Sequence, residues 1–153
     1  MTETAHNYSY QAIPAAFAFS FLPHGYYLTR LMMATKFQFS TAMPRTNLET
    51  WKGKLPQDVW NQLVRARGAH LNCMEVFPLF AAAMVAGNVA KLPAKDLNSA
   101  ALNFFVARTV YTALYITVKN DVVAFARTGA YFWSIGIPMM TLWRAGQAAS
   151  QDI

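Results

Sequence analysis

The sequence predicts an all-α fold, an integral membrane bundle of four helices running up and down, and three observations carry that expectation. Hydrophobic residues make up 55% of the 153. Charged residues make up only 13%, where an ordinary globular chain carries about a quarter. Four apolar stretches, residues 12–35, 64–90, 99–118 and 122–143, each approach the ~20 residues that a helix needs to cross ~30 Å of hydrocarbon. A chain of this length holds one domain. A soluble helical domain would need a polar stripe on every helix, and residues 81–85 and 131–140 offer almost none.

The first stretch follows an N-terminus without a basic leader region and is too long and too aromatic for a cleavable signal, so it reads as a retained helix. Met43-Pro44-Arg45, Gly53 and Pro56 then make a long polar first connection. Leu92-Pro93 closes the second stretch, and Lys119-Asn120-Asp121 separates the third from the fourth. Basic residues set the orientation. Arg30, Lys36, Arg45, Lys52, Lys54, Arg65 and Arg67 crowd the first connection and its flanks, Lys119 and Arg127 lie at the third, and the opposite side has Lys91, Lys95 and Arg144. The first and third connections are therefore expected on the cytosolic side of a multi-pass protein, with Trp60 and Trp143 as interfacial anchors.

Several function classes drop out. The formal charge of +6 would suit a nucleic-acid partner only if the basic residues shared one face of a polar domain, and here they flank apolar runs. The single Cys73 rules out an internal disulfide framework, and His6, His24 and His70 have no metal-ligand spacing with it, so no metal is expected. A channel would need polar groups along the whole path, and the polar residues gather at one end.

That gathering is the main functional signal. On a helix, Arg65, Gly68, Asn72 and Glu75 follow the i, i+3, i+7, i+10 pattern and share a face. Arg108, Tyr111 and Tyr115 form a stripe on the third helix, and Arg127, Tyr131 and Ser134 form one on the fourth. Ionisable groups carried into a bilayer are costly without partners, so they mark a site. Arginines, an amide, a carboxylate and phenols suit a small anionic peptide such as glutathione. Arginines clamp its carboxylates, Glu75 holds its ammonium, and an arginine or phenol beside its thiol favours the thiolate that attacks an electrophile.

The run Arg-Ala-x-Gly-Ala-His-x-Asn-x-x-Glu-x-Phe-Pro-Leu-Phe from Arg65 to Phe80 resembles the second-helix signature of the membrane-associated proteins in eicosanoid and glutathione metabolism. These include microsomal glutathione transferases, leukotriene and prostaglandin synthases and a non-enzymatic lipoxygenase-activating protein. Arg108-Thr109-Val110-Tyr111 with Tyr115 is similar to that family's third-helix motif. The resemblance implies a homotrimer in the endoplasmic reticulum or another internal membrane, with glutathione as co-substrate between neighbouring subunits near the cytosolic face. It also implies a lipophilic electrophile reaching the site from the lipid bilayer. Carried over by position, it makes Arg65, Asn72, Glu75, Arg108 and Tyr111 glutathione contacts. Tyr115 becomes the thiol contact and Arg127 the thiol-activating arginine. Gly68 stands where active members carry an arginine, Val76 where the leukotriene synthase has a tyrosine, and Arg127 comes later than the family pattern.

Each residue also has a structural use. Arg65 and Arg67 at a helix end can snorkel and set topology, Asn72 and Glu75 can bond between helices, Glu75 and Arg108 can neutralise each other, and the tyrosines can be packing aromatics. Two functions stay in view: a glutathione-dependent transferase or lipid-hydroperoxide reductase, and a non-catalytic membrane module that binds a lipid or a partner protein.

Overall fold

Pro23 decides the shape of the first apolar stretch. In the computed structural model, which describes residues 6–151, the single helix expected over 12–35 is two helices, α1 (Ser9–Phe19) and α2 (Leu22–Ala34). Proline has no N–H, and its ring collides with the carbonyl four residues back, here that of Phe19. The chain therefore breaks at Ser20 and Phe21. Ser20 Oγ donates to the Ala16 carbonyl (2.9 Å), and the His70 ring donates from Nδ1 to the Ser20 carbonyl (2.8 Å). An acceptor released at the break thus finds a donor from another helix, as an apolar surrounding requires.

The first connection is ordered rather than a plain loop. A 3₁₀ turn (Pro44–Thr46) leads into the short helix α3 (Asn47–Thr50). The buried Asn47 amide ties it together: its Oδ1 accepts from Ser40 N (2.9 Å) and its Nδ2 donates to the carbonyls of Ser40 (2.9 Å) and Pro44 (3.2 Å). Three long helices follow, α4 (Gln57–Val89), α5 (Ala94–Thr117) and α6 (Asp121–Ala149). All three begin before the apolar runs, and α6 also continues past its run, because polar residues there still make helical backbone bonds and favourable first turns. Prolines stand just before α4 and α5, and Asp58, Asp96 and Asp121 occupy first turns, where negative charge meets the positive end of the helix dipole. Asn120 caps α6, its Oδ1 accepting from Val122 N (2.8 Å) and Val123 N (3.4 Å).

The long helix α4 is the common neighbour, packed on α1, α2, α5 and α6. It runs antiparallel to α5: Arg65 meets Ile116 at one end, Phe80 stacks on Phe104 midway (ring centroids 4.1 Å apart, planes 14° apart), and Gly87 meets Leu97 at the other end. The pairs Tyr115 with Arg127 and Asp96 with Arg144 make α5 antiparallel to α6. The first and third connections therefore lie at one end. The core around Phe80, Phe104, Ala83 and Met84 fills the other half, and a second cluster of Tyr27, Leu31, Leu48, Leu63 and Ala66 seats the first connection. The described residues contain helices and no strand. One described helix, α4, is both long and apolar enough to cross a membrane by itself; α1 and α2 are 11 and 13 residues long, too short singly.

Candidate functional site

Arg108 organises the polar end of the bundle. Its side chain is 2% exposed, and a buried guanidinium is costly unless its donors are met. Both terminal nitrogens donate to Asn72 Oδ1 (3.1 and 3.0 Å), one of them also to Ser134 Oγ (3.4 Å) and the other to Cys73 Sγ (3.1 Å). Ser134 can accept because its own hydroxyl donates to the Tyr131 carbonyl (2.8 Å). The guanidinium carbon also lies 4.4 Å from the centre of the Tyr111 ring, whose face attracts a cation. Among the described residues the ion pair is Arg144 with Asp96, so Arg108 is met by neutral groups and a π face. The alternative in which Glu75 neutralises Arg108 is not realised: Glu75 is exposed and forms no ion pair with Arg108.

Above this buried fork opens a cleft of about 240 Å³ lined by Asn72, Tyr111, Tyr115, Arg127, Thr128 and Tyr131. Helix periodicity brings them together: Tyr111 and Tyr115 are one turn apart on α5, and so are Arg127 and Tyr131 on α6. Arg127 lies with its guanidinium carbon 4.6 Å from the centre of the Tyr115 ring. Tyr111 meets the Tyr115 ring edge to face (centroids 5.5 Å apart) and the Tyr131 ring at 5.9 Å. A cation, three phenols and an amide thus share one small surface.

Gly68 explains how Tyr115 gets there. A Cβ at this position would sit 2.8 Å from the Tyr115 hydroxyl oxygen and 3.1 Å from two of its ring carbons. The bare glycine backbone of α4 is what the phenol packs against. The space a side chain at position 68 would take is filled by the tyrosine of the neighbouring helix.

Of the residues singled out from sequence, the structure gathers Asn72, Tyr111, Tyr115 and Arg127 around the cleft, with Arg108 beneath it. Glu75 stands outside. Arg65 is at the rim, where its Nε–H donates to the Ile116 carbonyl (3.1 Å) and so meets one of the open carbonyls at the C-terminal end of α5. The face shared by Arg65, Gly68, Asn72 and Glu75 is thus spread over three surroundings. Sequence reasoning missed Thr128 and the hydrogen bond that Cys73 Sγ accepts from Arg108; the cysteine's place next to Asn72 was the available signal. His70 serves the break between α1 and α2, and its ring is 4.9 Å from that of His24. Among the described residues no group of three or more His, Cys, Asp or Glu side chains could hold a metal.

A model of the MAPEG family matches residues 12–147, nearly the whole chain. No curated protein and no solved structure matches it.

Proposed function

The chain belongs to the MAPEG family, a family of membrane proteins that generally uses glutathione, and from that premise we propose a glutathione-dependent membrane enzyme of the microsomal transferase kind. The observation that carries this reading is the cleft in which Arg127 and Tyr115 converge beside Asn72. Because Asn72 Oδ1 is spent on Arg108, the two Nδ2 hydrogens of its amide remain for an acceptor such as a peptide carbonyl or carboxylate. Arg127 supplies positive charge and Tyr115 a hydroxyl donor where a thiolate would develop.

The protein crosses an internal membrane, that of the endoplasmic reticulum or a similar one, as a bundle of four passes, α1 with α2 counting as the first. The first and third connections face the cytosol. Three copies associate, and glutathione lies between two of them. The size of the cleft supports that sharing, since about 240 Å³ falls below the roughly 300–1,000 Å³ of ordinary small-molecule pockets. Glu75, exposed on the single chain, is then free to take the ammonium of a ligand held between copies, with Arg65 at the rim for a carboxylate.

In the transfer reaction the thiol proton leaves to solvent, the sulfur forms a bond to the electrophilic carbon, and the leaving group departs with its electron pair. With a lipid hydroperoxide the sulfur takes the terminal oxygen and the O–O bond breaks to release the alcohol. A second glutathione then displaces hydroxide from sulfur, giving the disulfide and water. In both cases the cation of Arg127 stabilises the anionic sulfur.

Purified protein should bind glutathione, give the ultraviolet difference signal of a thiolate, and conjugate an aryl halide. Arg127→Ala should slow the conjugation by about 100-fold or more. Absence of glutathione binding at millimolar concentration would sink the reading and favour a non-catalytic module that binds a lipid or partner protein.

A further inference from the structure

The first connection carries four exposed cations, Lys36, Arg45, Lys52 and Lys54, against one acid, Glu49. None of the four is in an ion pair among the described residues. They stand on a framework that fixes their positions. Asn47 bonds the connection to itself, Leu48 is buried among Tyr27, Leu31 and Leu63, and Trp60 donates from its indole nitrogen to the Leu48 carbonyl (3.1 Å). Lys52 is held 5.7 Å from the centre of the Trp60 ring and Lys54 5.9 Å from that of Trp51.

Apolar side chains project from the same connection. Lys36 and Phe37 are both left-handed, with φ of 51° and 64°, a conformation that side-chain-bearing residues rarely adopt. The turn sends the two rings of this segment different ways. Phe39 packs on the cluster below, whereas Phe37 is 68% exposed, and Met43 is 61% exposed beyond it. Unpaired cations, indoles and outward apolar side chains on one rigid cap match an anionic lipid surface: tryptophan sits at headgroup depth, basic groups meet phosphates, and the apolar tips enter the acyl boundary.

We propose that the first connection docks on the adjoining leaflet and selects anionic phospholipid headgroups, with Lys36, Arg45, Lys52 and Lys54 as the headgroup contacts and Phe37 and Met43 as the inserted tips. The proposal rests on the membrane reading of the chain but not on glutathione chemistry. Its distinguishing feature is rigidity. The cations are presented by a folded cap, so selectivity belongs to the cap and not to net charge at large.

The test reconstitutes the full chain in phosphatidylcholine vesicles holding a trace of spin-labelled phosphatidylglycerol or spin-labelled phosphatidylcholine, and reads the motionally restricted fraction of each label. The anionic probe should be restricted several-fold more at low salt, since each basic residue near an anionic surface contributes roughly a fivefold factor. The quadruple variant Lys36→Gln, Arg45→Gln, Lys52→Gln, Lys54→Gln should lose the preference, while Lys91→Gln with Lys95→Gln, at the other end of the bundle, should keep it. All six side chains are exposed, so the folds should survive. Equal restriction of both probes by the unaltered protein, a preference that survives the quadruple change, or an equal loss in the Lys91 and Lys95 variant would overturn the proposal. Restriction of neither probe would overturn the membrane reading with it. Retention of aryl-halide conjugation by a quadruple variant that has lost the preference would confirm that cap and cleft act separately.

Discussion

The two halves of α4 meet the same partner, α5, by opposite means. From Phe80 to Gly87 the contact is apolar and close, Phe80 stacked on Phe104 and Leu97 seated on Gly87. From Arg65 to Cys73 it is polar, built on the Arg108 fork, with Tyr115 seated on Gly68. One helix therefore divides labour along its length, and the lesson is that a polar cleft is held open by an apolar half that needs no ligand. Substitutions in the Phe80 half should change stability and leave glutathione kinetics alone. Those in the Asn72 half should do the reverse, except where they break the buried Arg108 fork, which should cost both stability and binding.

The largest expected effect is on the apolar side. Phe80→Ala removes a fully buried ring from the centre of the core and should cost about 3–5 kcal/mol. The thermal midpoint in detergent should fall steeply, while folded protein keeps its KM for glutathione. A changed KM at full occupancy of the fold would break the division. Next comes Arg127→Ala on the polar side, where the loss of a charge next to the developing anion should lower kcat by about 100-fold or more. Its thermal midpoint should stay put, because the side chain is only half-buried and rests on the Tyr115 face. A stability loss without a kinetic one would make Arg127 a structural residue.

Arg108→Lys tests the buried residue on which the polar half is built. Lysine keeps the charge but cannot donate with two parallel N–H groups to Asn72 Oδ1. Hydrogen bonds to charged groups are worth roughly 1.5–3 kcal/mol, so stability should fall by about that much. KM for glutathione should rise more than kcat falls, since the freed Asn72 amide binds less well. A fall in stability alone would confine Arg108 to packing.

Much of this was legible in the residues. The 3.6-residue period placed Tyr111 with Tyr115 and Arg127 with Tyr131, because on a regular helix spacing alone settles which side chains share a face. What was not legible came from contacts between helices. Whether Arg108 would pair with Glu75 or with Asn72 depends on how α4 is rotated toward α5, and no single-helix pattern carries that angle. Gly68 read as a missing arginine, because a sequence displays the absence of a side chain and not the ring that fills the space. The break at Pro23 was different: the residue was in view, but the apolar composition continued across it, and composition does not record a lost backbone bond.

The smallest expected effects come from the paired glycines, and they separate the halves most cleanly. Either Gly→Ala change gains about 1 kcal/mol of helix propensity, so the sign depends on what the new methyl group meets. At Gly87 it would fall 2.6 Å from Leu97 Cδ2, with Thr141 Cγ2 at 3.4 Å and Leu92 Cδ1 at 3.5 Å. Leu97 is 1% exposed and has nowhere to go, and overpacking costs typically 1–3 kcal/mol. Gly87→Ala should therefore be net destabilising by about 1 kcal/mol, with unaltered kinetics. At Gly68 the three nearest atoms belong to Tyr115, half-buried at the mouth of the cleft, so the ring can swing outward and the stability change should be near zero. The displaced phenol should instead weaken the glutathione thiolate signal several-fold. If Gly68→Ala lowers the thermal midpoint and spares the thiolate signal, Tyr115 is a packing residue and the polar half of α4 is held together in the same way as the apolar one.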